Sequence, residues 1–201
     1  MKRRIVDYGA LFLLACSTLP VRAQLPSDCK PPAAAANAPA GTSPAKIDEA
    51  VGAWFAQKGD LDCSASAFEQ ALRLEPRSAA AHFDLGLIRQ RQQQPATAIK
   101  EFELALQYEP GLLPARCALG WALQDPVRAK QEFHEALAAN PHLVCALNGM
   151  AQVLAEQKHY DAAVRYWRQA VKLQPDEPGM QLSLATAIYK AAQLTARGAS
   201  A

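Results

Sequence analysis

The sequence has little net charge of either sign: 21 lysines and arginines face 19 aspartates and glutamates over 201 residues. A nucleic-acid surface needs a clustered basic patch, and an excess of two does not supply one. Transmembrane length is also missing. The apolar run Gly9 to Cys16 (GALFLLAC) is far shorter than the roughly 20 residues a spanning helix needs, and no later segment approaches that length. Catalytic constellations are absent as well. There is no C-x-x-C, so neither a dithiol redox motif nor c-type haem attachment is indicated. His82, His134, His142 and His159 show no metal-ligand spacing, and no phosphate-cradling glycine loop or nucleophile elbow is present. No cofactor, metal or catalytic residue is expected. With 20% charged and 50% hydrophobic residues, the chain is not a fully disordered one.

What is present begins with an address. Lys2, Arg3 and Arg4 precede the short apolar run, and Val21-Arg22-Ala23 places compact residues at −3 and −1. That is the pattern of a secretory signal over residues 1–23, with cleavage leaving Gln24 first. An alternative takes Leu13-Leu14-Ala15-Cys16 as a bacterial lipobox, with Cys16 lipidated; Asp7 close upstream counts against it. Either route implies an exported protein, periplasmic or secreted, or anchored by lipid at a membrane. Removing residues 1–23 takes away four basic residues and one acidic, leaving 17 against 18. The slight basicity thus belongs to the address. Residues 24–44 hold Pro26, Pro31, Pro32, Pro39 and Pro44, and read as an extended tether. Residues 195–201 read as a fraying, disordered tail.

Between these ends a period emerges. FEQALRLEP (Phe68–Pro76), FELALQYEP (Phe102–Pro110), FHEALAANP (Phe133–Pro141) and WRQAVKLQP (Trp167–Pro175) place an aromatic, an alanine at +3 and a proline at +8. The aromatics lie 34, 31 and 34 residues apart, and the alanines are Ala71, Ala105, Ala136 and Ala170. Upstream of each lie Val51-Gly52, Leu85-Gly86, Leu119-Gly120 and Met150-Ala151. Small residues recur at Ser64, Ala98, Ala129 and Ala163. This pattern resembles the tetratricopeptide repeat, a helix–turn–helix unit.

The resemblance implies an all-α, right-handed α-solenoid over 45–194. It comprises four units (45–78, 79–112, 113–143, 144–177) and a capping helix at 178–194. Small residues let helix axes approach, and stacking buries the face that one unit cannot bury alone. The third unit is three residues short, with Gln124-Asp125-Pro126 replacing a longer helix end, so a tight Asp-Pro turn is expected. Asp60 and Asp62 read as capping groups, and Arg89 and Arg91 as a solvated helix end.

Setting Cys16 aside leaves four cysteines, which allow three pairings. The resemblance places Cys117 and Cys145 on the inner faces of neighbouring first helices, which favours their pairing and leaves Cys63 for Cys29. An exchanging Cys117–Cys145 redox pair is the remaining, least favoured alternative for function.

In such repeats the concave groove is lined by first-helix positions 2, 5, 9, 12 and 13. Carried over, these are Phe83, Leu87, Gln90 and Arg91; then Cys117, Trp121 and Gln124; then Asn148, Gln152 and Glu156. The cap adds Leu182 and Tyr189. Aromatic anchors among amides suit a protein or peptide partner. The competing reading buries Phe83 and Trp121, while Trp54 and Trp167 read as packing residues. The lysine and asparagine with which some family members clamp a terminal carboxylate are not matched at Glu49/Ala53, Phe83/Leu87, Cys117/Trp121 or Asn148/Gln152. The implied function is a non-enzymatic scaffold; a cell-envelope assembly lipoprotein (outer-membrane, pilus or cytochrome c maturation accessory) is the alternative.

Overall fold

A computed structural model describes residues 25–31, 39 and 41–199, with side chains through Ala196. Among the described residues all regular structure is helical. The helices are α1 (Pro44–Lys58), α2 (Leu61–Leu74), α3 (Ala79–Arg91), α4 (Pro95–Tyr108), α5 (Leu113–Ala122), α6 (Pro126–Ala139), α7 (Val144–Glu156), α8 (Tyr160–Leu173) and α9 (Pro178–Ala199). Their ends follow from local chemistry. Ser43, Asp60, Ser78 and Asp125 accept hydrogen bonds from the backbone N–H groups of Lys46, Cys63, Ala81 and Val127, and so start α1, α2, α3 and α6. Pro44, Pro95 and Pro126 occupy first-turn positions, where the missing N–H costs nothing. Gly59, with φ of 81°, closes α1 in the left-handed conformation that glycine accepts freely. Pro76, Pro110, Pro141 and Pro175 each follow two residues after a second helix ends. In the shortened third unit α5 stops at Ala122, and Asp125 and Pro126 open α6 after a three-residue turn.

The helices stack because small residues admit aromatic ones. Ala71, Ala105, Ala136 and Ala170 are fully buried, as are Phe68, Phe102, Phe133 and Trp167. Each phenylalanine lies over a glycine of its own unit: Phe68 on Gly52, Phe102 on Gly86, Phe133 on Gly120. Phe133 also covers Gly149 of the next unit. In the fourth unit Ala151 stands at the glycine position, and Trp167 instead donates its Nε1–H to Asn148 Oδ1 at 2.7 Å. Ser64, at the small second-helix position, donates its hydroxyl to Gly52 O at 2.8 Å.

Sequential helices pack throughout, and first helices also touch across units: α1 with α3, α3 with α5, α5 with α7. Successive second helices lack comparable contact. First helices therefore crowd the inner side and second helices the outer, so the first-helix face is the concave one.

Three expectations need correction. The described part of the 24–44 stretch is not wholly extended: Pro26 O accepts from Cys29 N–H, Cys29 is buried, and Leu25 packs against the cluster that Cys29 forms with Val51, Phe55, Cys63 and Ala67. Apolar contact and the bond to Cys63 hold this segment down despite its prolines. Helix α9 runs to Ala199, past the expected end at Leu194, because Thr195-Ala-Arg-Gly-Ala contains no proline and Thr195 Oγ1 bonds back to Ala191 O. Arg89 is not a solvated helix end, since its guanidinium pairs with Glu69 of α2 and donates to Gln92 Oε1.

Both disulfides join the expected cysteines. Cys29–Cys63 has Cα atoms 5.4 Å apart and ties the N-terminal segment to α2; Cys117–Cys145, at 6.2 Å, ties α5 to α7.

Candidate functional site

Three cavities open along the first-helix side. One, of about 430 Å³, lies between α1 and α3, walled by Ala53, Ala56, Leu87 and Ile88 with Gln90 and Arg91 at its edge. A second, of about 490 Å³, is bounded by Trp121 of α5, Cys145, Asn148 and Gln152 of α7, and Met180 and Ser183 of α9. A third, of about 330 Å³, lies between α7 and α9, where Gln152 and Glu156 face Leu182, Thr186 and Lys190. The first and third are the same inter-repeat groove seen in two units, since their lining recurs at corresponding repeat positions.

Eight of the expected groove residues thus line cavities: Leu87, Gln90, Arg91, Trp121, Asn148, Gln152, Glu156 and Leu182; Cys145, the partner of Cys117, does so too. Trp121 is 42% exposed, its ring edge-on to buried Phe133 at 5.5 Å between centroids. The edge contact with Phe133 holds one side of the indole and leaves the remainder over the cavity. Asn148 has its carbonyl oxygen occupied by Trp167, so its amide NH₂ is the group left to donate. Gln152 donates to Glu156 Oε1 at 2.8 Å, and Arg91 donates to Ala56 O at 3.2 Å.

Four expected residues stand apart from these cavities. Cys117 is buried and bonded to Cys145. Phe83 is half-buried, its ring 6.1 Å from Phe102 in the cluster that includes Leu119 and Ala98, so it serves packing. Gln124 is exposed in the tight turn before α6. Tyr189 is 64% exposed, and its hydroxyl accepts from Gln193 of the same helix.

The sequence reading missed Asp84. Its half-buried carboxylate borders the α1–α3 cavity. Burial, reinforced by the negative Glu49 and opposed by Lys46, holds its pKa above the ordinary carboxylate value. Aligning the units against one another would have exposed it, because this position is otherwise small. Two other charged clusters join neighbouring helices. Arg116 of α5 pairs with Glu132 and Glu135 of α6, and burial raises the Glu132 carboxyl against the pull of that arginine. His82 bridges Glu101 Oε2 at 2.7 Å and Pro76 O at 3.2 Å beneath Tyr108. Among the described residues no helix is long and apolar enough to cross a membrane.

Paired helices stacked with their first members inward, and a cavity-lined inner face, define a helical-repeat solenoid. Tetratricopeptide-repeat models match residues 48–111 and 120–188, and the chain belongs to the tetratricopeptide-repeat family. It is 23% identical over 145 residues to the type IV pilus assembly protein PilF of Pseudomonas aeruginosa, covering 70% of this chain. The chain spans 58% of that relative's length. Among solved structures, Pseudomonas aeruginosa PilF superimposes with a TM-score of 0.67 at 22% identity, over 74% of this chain and 69% of that one. The MamA protein gives 0.66 at 19%, over 74% and 82%. YrrB, described as a TPR protein with an unusual peptide-binding site, gives 0.61 at 20%, over 71% and 74%. These superpositions establish a shared fold.

Proposed function

We propose that the protein is a non-enzymatic interaction scaffold whose concave first-helix face holds a segment of a partner protein. The observation that carries this reading is Trp121, half-exposed over a cavity whose wall supplies the Asn148 amide. An indole face with adjacent hydrogen-bond donors suits a side-chain anchor and a backbone carbonyl together. Helices fixed by stacked aromatics and a disulfide are pre-organised, which lowers the ordering cost on the receptor side. The indole, amides and apolar walls of this face suit a protein or peptide. The test is affinity capture with Trp121→Ala. Because the indole is largely outside the core, helical content by circular dichroism is expected to stay unchanged while capture falls at least about tenfold, the loss typical of a hot-spot aromatic. Undiminished capture would refute the groove assignment.

A second reading concerns place and pathway: an exported envelope-assembly accessory. The relative's role in type IV pilus assembly and two disulfides in one small chain favour it, since disulfides persist in oxidising compartments. The secretory pattern of residues 1–23 and the lipobox cysteine Cys16 lie outside the described residues. Intact-mass analysis separates the two export routes: a chain beginning at Gln24 supports signal cleavage, and an acylated chain beginning at Cys16 supports a lipid anchor.

A further inference from the structure

The repeat register makes Asp84 anomalous. First-helix position 6 holds Ala50, Asp84, Ala118, Gly149 and Ser183 in successive units, so four of five are small and uncharged. At Asp84 the chain places a carboxylate in the wall of an apolar cavity, and no described residue gives that carboxylate a hydrogen bond or ion pair. Nearby charges are already engaged. Lys46 is bonded to Glu49 at 2.7 Å, and Glu49 also accepts from Ser78 Oγ at 2.9 Å. Arg91 lies seven residues on, about 10 Å along the helix, with its guanidinium on Ala56 O. A half-buried, unpartnered charge is a cost to folding that the other units avoid. The cavity beside it has methyl-lined walls from Ala53, Ala56 and Leu87.

We propose that the cavity between α1 and α3 is a subsite for a lysine or arginine side chain of the bound segment. The aliphatic stem would lie between Ala53, Ala56 and Leu87, and the cationic head would meet the Asp84 carboxylate. Charge complementarity chooses the occupant: an apolar side chain would leave Asp84 desolvated without compensation, and an acidic one would add repulsion from Asp84 and Glu49. An aliphatic chain ending in a cation satisfies both wall and charge, as long basic side chains do on apolar surfaces elsewhere. The equivalent α7–α9 cavity has Ser183 at this position and Lys190 at its mouth, so it lacks this preference.

This subsite rests on the groove reading but is tested separately. The probes are Nα-acetyl-lysine methylamide and its norleucine and glutamate counterparts, titrated against the disulfide-bonded protein. The readout is the methyl NMR signals of Ala53, Ala56, Leu87 and Ile88. The lysine probe is expected to shift these signals saturably, at least about tenfold more tightly than norleucine. That advantage should vanish in Asp84→Asn, which is isosteric and whose methyl spectrum reports its own folding. Equal binding of lysine and norleucine, or a lysine affinity unchanged by Asp84→Asn, overturns the subsite. If either occurs while Trp121→Ala still abolishes partner capture, the groove reading stands without it.

Discussion

Phe133 touches two units at once. A methyl group built on Gly149 would lie 2.3 Å from its Cζ, and one on Gly120 would lie 2.6 Å from its Cε1. Alanine is the better helix former by about 1 kcal/mol, but inserting a methyl into a filled socket costs about 1–3 kcal/mol. The second effect wins here because the ring is clamped from both sides. Gly149→Ala is therefore expected to lower the melting temperature by several degrees, at about 2–4 °C per kcal/mol for a domain of this size. An unchanged or raised melting temperature would show that the ring can move aside. Asp84 gives a residue-scale prediction of the opposite sign. Its raised pKa means that the folded state binds the proton more tightly than the unfolded state, so its contribution to stability is fully present below the unfolded value of 3.8 and is lost as pH rises through the folded one. Asp84→Asn should therefore melt higher than the wild type at pH 7, and the gap should close as the pH falls below 4. A variant less stable at neutral pH would contradict the carboxylate's exposure to desolvation by burial, Glu49 repulsion and weak relief from Lys46.

At the scale of elements, the two disulfides do different work. They close segments of 34 and 28 residues, for which loop-closure entropy predicts stabilisation of about 3–4 kcal/mol each. Cys117–Cys145 joins the first helices of the third and fourth units, and Cys145 borders the Trp121 cavity. Cys29–Cys63 holds only the N-terminal segment against α1 and α2. Replacing Cys117 and Cys145 with serine should lower the main melting transition. Replacing Cys29 and Cys63 should chiefly open residues 25–31 to limited proteolysis while most of the helical transition survives. A reduction potential of the Cys117–Cys145 pair below about −300 mV identifies it as structural, and a higher one as labile. The Cys117–Cys145 pairing was legible in the sequence because the repeat register makes those backbone positions neighbours, and Cys29–Cys63 followed as the pair left over. The groove was only partly legible for a related reason. Register gives the direction in which a residue leaves the helix, which sufficed to place Leu87, Gln90, Arg91, Trp121, Asn148, Gln152, Glu156 and Leu182 at cavity walls. It does not give the rotamer, and Phe83 leaves at a groove position yet turns toward Phe102. Gln124 falls where the shortened unit breaks the register, and Tyr189 extends from a cap with no following unit. Asp84 was overlooked because position 6 ordinarily holds a small residue and was not counted among the lining positions. The N-terminal segment was misjudged because proline content describes local stiffness, whereas Leu25 and Cys29 are held by tertiary contact.

For the whole molecule, stability and the proposed partner binding draw largely on separate faces of the same helices. Aromatic-on-glycine contacts and buried alanines between first and second helices hold the stack together, which leaves the inward face of the first helices free of that duty. There the chain keeps an exposed indole, an amide with an unused donor, and a carboxylate without a partner. The central claim is that this inner face is where a partner segment sits. Site-specific photo-crosslinking in the native cell tests it most directly, with the photoreactive residue placed at Gln152 on α7 or at Lys130, exposed on α6 of the outer layer. The account predicts a discrete protein adduct from position 152, lost when Trp121→Ala is added, and none from position 130. An adduct formed from position 130 and not from 152 would contradict it.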